Sequence, residues 1–240
     1  MTHEEKPSSL VLSPIDIAVH TGGVAWGEGE RWRRGIELAS MDSKVDTRSV
    51  ASTVPLSVSD RSYTTMVAEI QQATRKGWVE LPYDSVAFYG INTLVAWALS
   101  AGYLAADYTP YFGIQHGTDY ERLDSAFERL QSQYEPAGAT TQFRQQVRPR
   151  EAASSLGRVL ATLGVPVGQP TDRTTLPAYL SECPHSLQRA FSHTYLNNRV
   201  HYDDAKPPAC ERQSPVFRRE LAAFLSRVDE PMISEDYSIN

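Results

Sequence analysis

Trp97–Asp107 reads WALSAGYLAAD, and the fold is decided by how this stretch is read. Taken from Asn92, it is apolar, helical in character and closed by a single acid, Asp107. Ala98, Gly102 and Ala106 lie four residues apart, with Ala101 and Ala105 beside them. On a helix that spacing puts small residues on one face, where a second backbone can come close. A buried packing helix over Asn92–Asp107 accounts for this seam. It does not account for the acid at its end.

Composition bounds the surroundings. The chain has 240 residues, 41% hydrophobic and 22% charged, as expected of one large globular domain or one domain plus a smaller one. Cys183 and Cys210, the two cysteines, have neither a disulfide-framework nor a zinc-knuckle spacing, and are read as free thiols in a reducing compartment. Met1–Ser9 lacks the apolar stretch of a signal peptide, and the longest apolar run, near Leu94–Ala106, is too short to cross a bilayer. The expectation is a soluble, intracellular, cytoplasmic protein with no membrane partner. A net charge of −6 argues against wholesale nucleic-acid binding but leaves room for a local basic face.

Outward from the opening stretch, periodicity places further elements. Towards the N-terminus, Ser62–Lys76 has helical spacing, capped by Asp60 or Ser62 and closed by Gly77. Trp78–Pro82 reads as an extended approach. Leu10–Val19 is strand-like, His20–Gly29 a glycine-rich loop with no following Gly-Lys-Ser/Thr, and Ser40–Ser59 a linker. Towards the C-terminus, Tyr111–His116 and Thr140–Val147 read as strands. Tyr120–Tyr134, Arg150–Leu163, Cys183–Tyr195 and Val216–Val228 read as helices, and Arg199–Tyr202, Cys210–Arg212 and Met232–Ile239 as short strand candidates. The resulting division is a tail over 1–9, an N-terminal extension over 10–82, and two units over 83–180 and 181–240.

Ser100–Tyr108 (SAGYLAADY) keeps Ala101, Gly102, Ala106 and Asp107 of a nine-residue pattern and departs from it at Ser100, Ala105 and Tyr108. Later come Leu163-Gly164-Val165-Pro166, then Leu176-Pro177, then a helix through Leu187–Arg199. These phrases in this order resemble the LAGLIDADG homing-endonuclease family, in its intein-type or WhiA-like arrangement, over roughly Val86–Asn240. The resemblance implies an α+β fold of two degenerate αββαββα repeats, whose strands form a saddle-like sheet lying on double-stranded DNA. The second repeat, 181–240, would be truncated, so that residues 1–85, a protein partner or a homodimer would complete it. The first has too few residues between Asp107 and Tyr111 for the strand the pattern expects.

The resemblance also implies a site. In the family two helices pair through small residues, and each presents one carboxylate that holds Mg²⁺ for phosphodiester cleavage. Asp107 would be the catalytic and metal-binding acid of the first motif. The second-motif position falls on Asn198 or Arg199, so the matching carboxylate is missing, and cleavage is expected to be lost or impaired. Asp203 and Asp204 are the nearby substitutes. Arg144, Arg148, Arg150, Arg173 and Arg212 are the DNA-binding candidates. Three readings follow: a DNA-binding protein without nuclease activity, an active Mg²⁺-dependent endonuclease or nickase, and an interaction or structural remnant that binds no DNA. The six histidines form no zinc spacing, and no nucleophile elbow or thiol–base pair is present.

Overall fold

Ser85 starts the central helix. Its side chain accepts a hydrogen bond from the Phe88 amide at 3.1 Å, which satisfies one of the free amides of the first turn. From there Val86–Ala101 forms a helix without one charged residue, buried nearly all round. In the computed structural model, which describes residues 12–13, 16–17, 60–115, 117–140, 143, 145–168, 174–200 and 214–228, two strands and three further helices pack on it. In chain order the elements are α1 (Asp60–Arg75), α2 (Val86–Ala101), β1 (Gly102–Leu104), β2 (Pro110–Ile114), α3 (Gly117–Arg129), β3 (Tyr134–Gly138), β4 (Gln145–Pro149), α4 (Ala153–Thr162), a 3₁₀ turn (Ala178–Ser181), α5 (His185–Val200) and α6 (Pro215–Arg227).

The class is α+β, with one four-stranded antiparallel sheet among the described residues, in the order β1-β2-β4-β3. Two expectations are corrected by it. The helix does not continue to Asp107 but stops at Ala101, and Gly102–Leu104 enters the sheet as the strand that looked missing. Gly102 makes that corner possible: a Cβ there would stand 2.4 Å from the Tyr111 carbonyl oxygen and 3.0 Å from Ala98 Cα. The helix expected over Tyr120–Tyr134 ends at Arg129, and Tyr134 opens β3 instead. That strand, YEPAG, carries a proline and a glycine and lies at the sheet edge, where a lost ladder donor is tolerated.

Strand alternation sends Leu104, Phe112 and Val147 inward to α2 and α3, where Phe112 meets Phe127 edge-on with ring centroids 6.0 Å apart. The outer face carries Tyr103, Tyr111, Gln146 and Arg148. The most extensive helix contact is between α2 and α5. The two run parallel: Asn92 Nδ2 donates to the Leu187 carbonyl at one end, and Asn198 Nδ2 donates to Ser100 Oγ at the other. Beyond α5, α6 begins at Ser214, whose hydroxyl accepts from the Phe217 amide and donates to the Thr174 carbonyl. It packs Phe224 edge-on against Phe191 of α5.

The division at residue 82 does not separate two cores among the described residues. Leu12, Ile17, Val67, Ile70 and Trp78 belong to the same apolar cluster as α2. Trp78 Nε1 donates to the Leu130 carbonyl at 3.3 Å, Ser155 Oγ donates to Gln72 Oε1 at 2.8 Å, and Arg158 pairs with Glu69 across α1 and α4. No helix among the described residues is long and apolar enough to cross a membrane.

Candidate functional site

Three places bear on the residues singled out from sequence. The first is the C-terminal end of the α2–α5 pair. Ser100 is buried, and its hydroxyl donates back to the Ala96 carbonyl at 2.7 Å. Its oxygen accepts from Asn198 Nδ2 at 2.9 Å, so the two helices are tied by a neutral, buried hydrogen bond. Arg199, one residue on, lies in the last turn of α5, where a cation suits the helix dipole. Its Nη2 donates to the Tyr195 hydroxyl at 3.3 Å. Its Nε and Nη1 are shielded, with no hydrogen-bond partner among the described residues.

The second place holds Asp107, which the structure puts apart from Asn198 and Arg199. It sits in the turn joining β1 to β2, not on a helix. Its Oδ1 accepts from the Thr109 amide at 3.0 Å, and Tyr108, the next residue, takes a left-handed φ of 65°. The turn presses against α4 at Gly157, where a Cβ would lie 1.6 Å from the Tyr108 carbonyl oxygen. Arg158 lies over the Tyr108 ring at 4.2 Å. Asp107, Glu69, Thr65, Ser154 and Arg158 line a shallow cleft of about 590 Å³ between this turn, α1 and α4.

A divalent cation needs several oxygen donors with spare negative charge. Glu69 is committed to Arg158, which brings a fixed positive charge to the cleft beside Asp107. Among the described residues no three His, Cys, Asp or Glu side chains come together as metal donors. The residues around Asp107 therefore do not fit Mg²⁺, and no cleavage step follows from them. At the helix-pair end the donors are an amide and a hydroxyl already bonded to each other.

The third place is the outer face of the sheet. Tyr103 and Tyr111, opposite each other on β1 and β2, stack with centroids 5.0 Å apart and planes 15° from parallel. Burial and the neighbouring Tyr111 raise the Tyr103 pKa, partly offset by the side chain of Gln146 beside it. Phe143 covers Gly113 on the same face. Arg148 Nε and Nη2 reach Glu135 Oε1 at 2.9 and 2.8 Å. Its bonds to Glu135 and then to Tyr111 raise its pKa. Arg150, at the end of β4, is exposed and donates to Gln133 Oε1 at 3.4 Å. Arg144, Arg173, Arg212, Asp203 and Asp204 lie outside the described residues.

Sequence reading set the strand at Thr140–Val147 and a helix from Arg150; the strand found is Gln145–Pro149, which carries Arg148, with Arg150 just past its end, and the tyrosine pair was missed. The signal was present: Tyr103 and Tyr111 flank a tight turn, and a hairpin reading of Gly102–Ile114 aligns them. No family model, curated protein or solved structure matches the chain.

Proposed function

We propose that the chain is a degenerate LAGLIDADG-like domain that binds double-stranded DNA with the outer face of its sheet and does not cleave it. The observation that carries this reading is the parallel α2–α5 pair, closed by Ser100 and Asn198 where a nuclease of that family sets its acids. The run α2-β1-β2-α3-β3-β4-α4 follows the family's αββαββα order and supports the same reading. A better register than the one drawn from Asp107 puts the nine-residue motif on Leu94–Gly102, LVAWALSAG, the last turns of α2 and the glycine that follows. Gly102 then stands as its final glycine, and Ala101 takes the place of the metal-binding acid. Pairing Ser100 with Asn198 sets Arg199 opposite Ala101. Neither position then offers a carboxylate.

The DNA-contacting groups in this reading are Arg148 and Arg150, with Tyr103 and Tyr111 as an aromatic platform beside them. Phosphate contacts give affinity that falls with salt, and two or three contacts predict a log–log slope of about −2 to −3. A gel-shift series across salt concentrations measures it, with Arg148→Ala and Arg150→Ala expected to flatten the slope. No binding to any duplex at low salt would sink the proposal. Mg²⁺-dependent strand breaks abolished by Asp107→Asn would replace it with the nuclease reading.

One observation favours a protein surface instead. The arginine at the centre of the outer face is paired with Glu135, so that patch is close to neutral among the described residues. Under that reading Arg148→Ala leaves the salt series unchanged because no duplex binds in the first place.

A further inference from the structure

Two turns apart on α3, Arg122 and Arg129 face α5, which presents Arg189 and, one turn on, His193. With α2 below, these helices enclose a groove of about 480 Å³, within the range of small-molecule sites. Among the described residues its lining includes three arginines, a histidine and the hydroxyls of Ser125 and Ser186, and no carboxylate. The charged residues of α3 sort by face. Glu121, Asp124, Glu128 and Asp119, the partner of Arg122, lie outside the lining, while both of its arginines lie within it.

The arginines are held in different ways. Arg129 lies over the Tyr89 ring at 4.3 Å, a contact that fixes its planar fork without neutralising it. Arg122 stands 5.3 Å over Trp97 and pairs through Nη2 with Asp119 at 2.5 Å. Its Nη1 is shielded from solvent and has no hydrogen-bond partner among the described residues. Arg129 and Arg189 have no ion-pair partner among the described residues.

We infer that the groove between α2, α3 and α5 binds a small polyanion carrying phosphoryl groups. Arg122 and Arg129 are separated by seven residues, roughly 10 Å along a helix, which matches several linked anionic groups better than one. The forks of Arg129 and Arg189, with Arg122 already held by Asp119 and hydroxyls beside them, offer more donors than a lone carboxylate accepts, whereas each phosphoryl group brings several oxygens. Among the described residues the groove is lined by helices, so the inference does not depend on DNA binding by the outer face of the sheet.

The test is calorimetric titration of the full chain with inorganic tripolyphosphate at low ionic strength, beside citrate as a polycarboxylate control. The Arg129→Gln/Arg189→Gln double variant is run in parallel, with its thermal melt recorded. Saturable binding to the wild type, weakened about tenfold or more in a variant that melts normally, is the expected result. If the double variant fails to fold, Arg189→Gln alone, on an exposed side chain, gives the same comparison. No saturable binding, equal binding by wild type and variant, or citrate binding as tightly as tripolyphosphate overturns the inference. So does loss of duplex binding in the variant together with competition between duplex and tripolyphosphate, which would make the groove part of a nucleic-acid surface. A failed gel shift with tripolyphosphate binding intact would instead count against the DNA proposal alone.

Discussion

Asn198 shows how much one buried amide decides. As a donor to Ser100 it joins two helix ends without charge. Asn198→Asp removes that donor and puts a carboxylate in a buried site at the ends of two helices, whose dipoles disfavour anions. Expected destabilisation at pH 7 is about 1–3 kcal/mol. Burial would raise the new acid's pKa, so the variant's deficit should shrink as pH falls to about 4. Denaturant titrations of both proteins at the two pH values check this. A deficit that does not change with pH would mean the site is not closed to water.

Tyr179 makes a second residue-scale prediction. It is buried, and its hydroxyl donates to Asn92 Oδ1 at 2.7 Å. Burial, with smaller contributions from Cys183 and Tyr83, raises its pKa well above the ordinary value. The folded state therefore keeps a proton that the unfolded chain releases. Its contribution is present in full below pH 10 and is lost as pH rises from there, by up to about 1.4 kcal/mol per unit. Stability measured between pH 9 and 11.5 should fall more steeply for the wild type than for Tyr179→Phe. Cys183, its thiol pushed up to about 12 by burial, titrates late for the same reason.

At the scale of elements, α1 and α4 are clasped by Glu69 and Arg158, both largely buried. Removing one partner leaves the other charged and buried, so Glu69→Leu alone is expected to cost about 3–5 kcal/mol. Adding Arg158→Met should restore much of that loss. Thermal melts of the single and double variants read the difference, and additive losses would show that the pair is not a unit.

Elements also show what was readable in the chain. The apolar period marked α1, α4 and α6 closely and α5 except for its last turn, because their buried faces are continuous, but it set α2 at Asn92–Asp107 where the helix runs Val86–Ala101. β1 was hidden because AGYLAAD looks like more helix, and only the crowding of Gly102 against Tyr111 ends it. β3 was hidden by Pro136 and Gly138, which an edge strand tolerates. Asp107 was legible as an unusual acid, but its role depended on a helix end that lies six residues earlier. The arginine groove was out of reach, since Arg122, Arg129 and Arg189 meet only through the packing of α5 on α2. Its one local trace was the seven-residue spacing on α3.

For the molecule as a whole, Asn92 binds Tyr179 and Leu187, residues 87 and 95 positions away. The central helix is thus finished only when the far end of the chain arrives. No local opening can uncover α2 without also parting it from the sheet and from α5. Its amide hydrogens should exchange with solvent only when the entire fold comes apart, so native-state hydrogen exchange at Leu94–Trp97 would report the global free energy of unfolding. Amides of β3, at the sheet edge, should exchange by smaller excursions. That contrast makes the helix an internal gauge: any ligand that binds the folded state should slow exchange at these four residues by the factor its own affinity and concentration dictate.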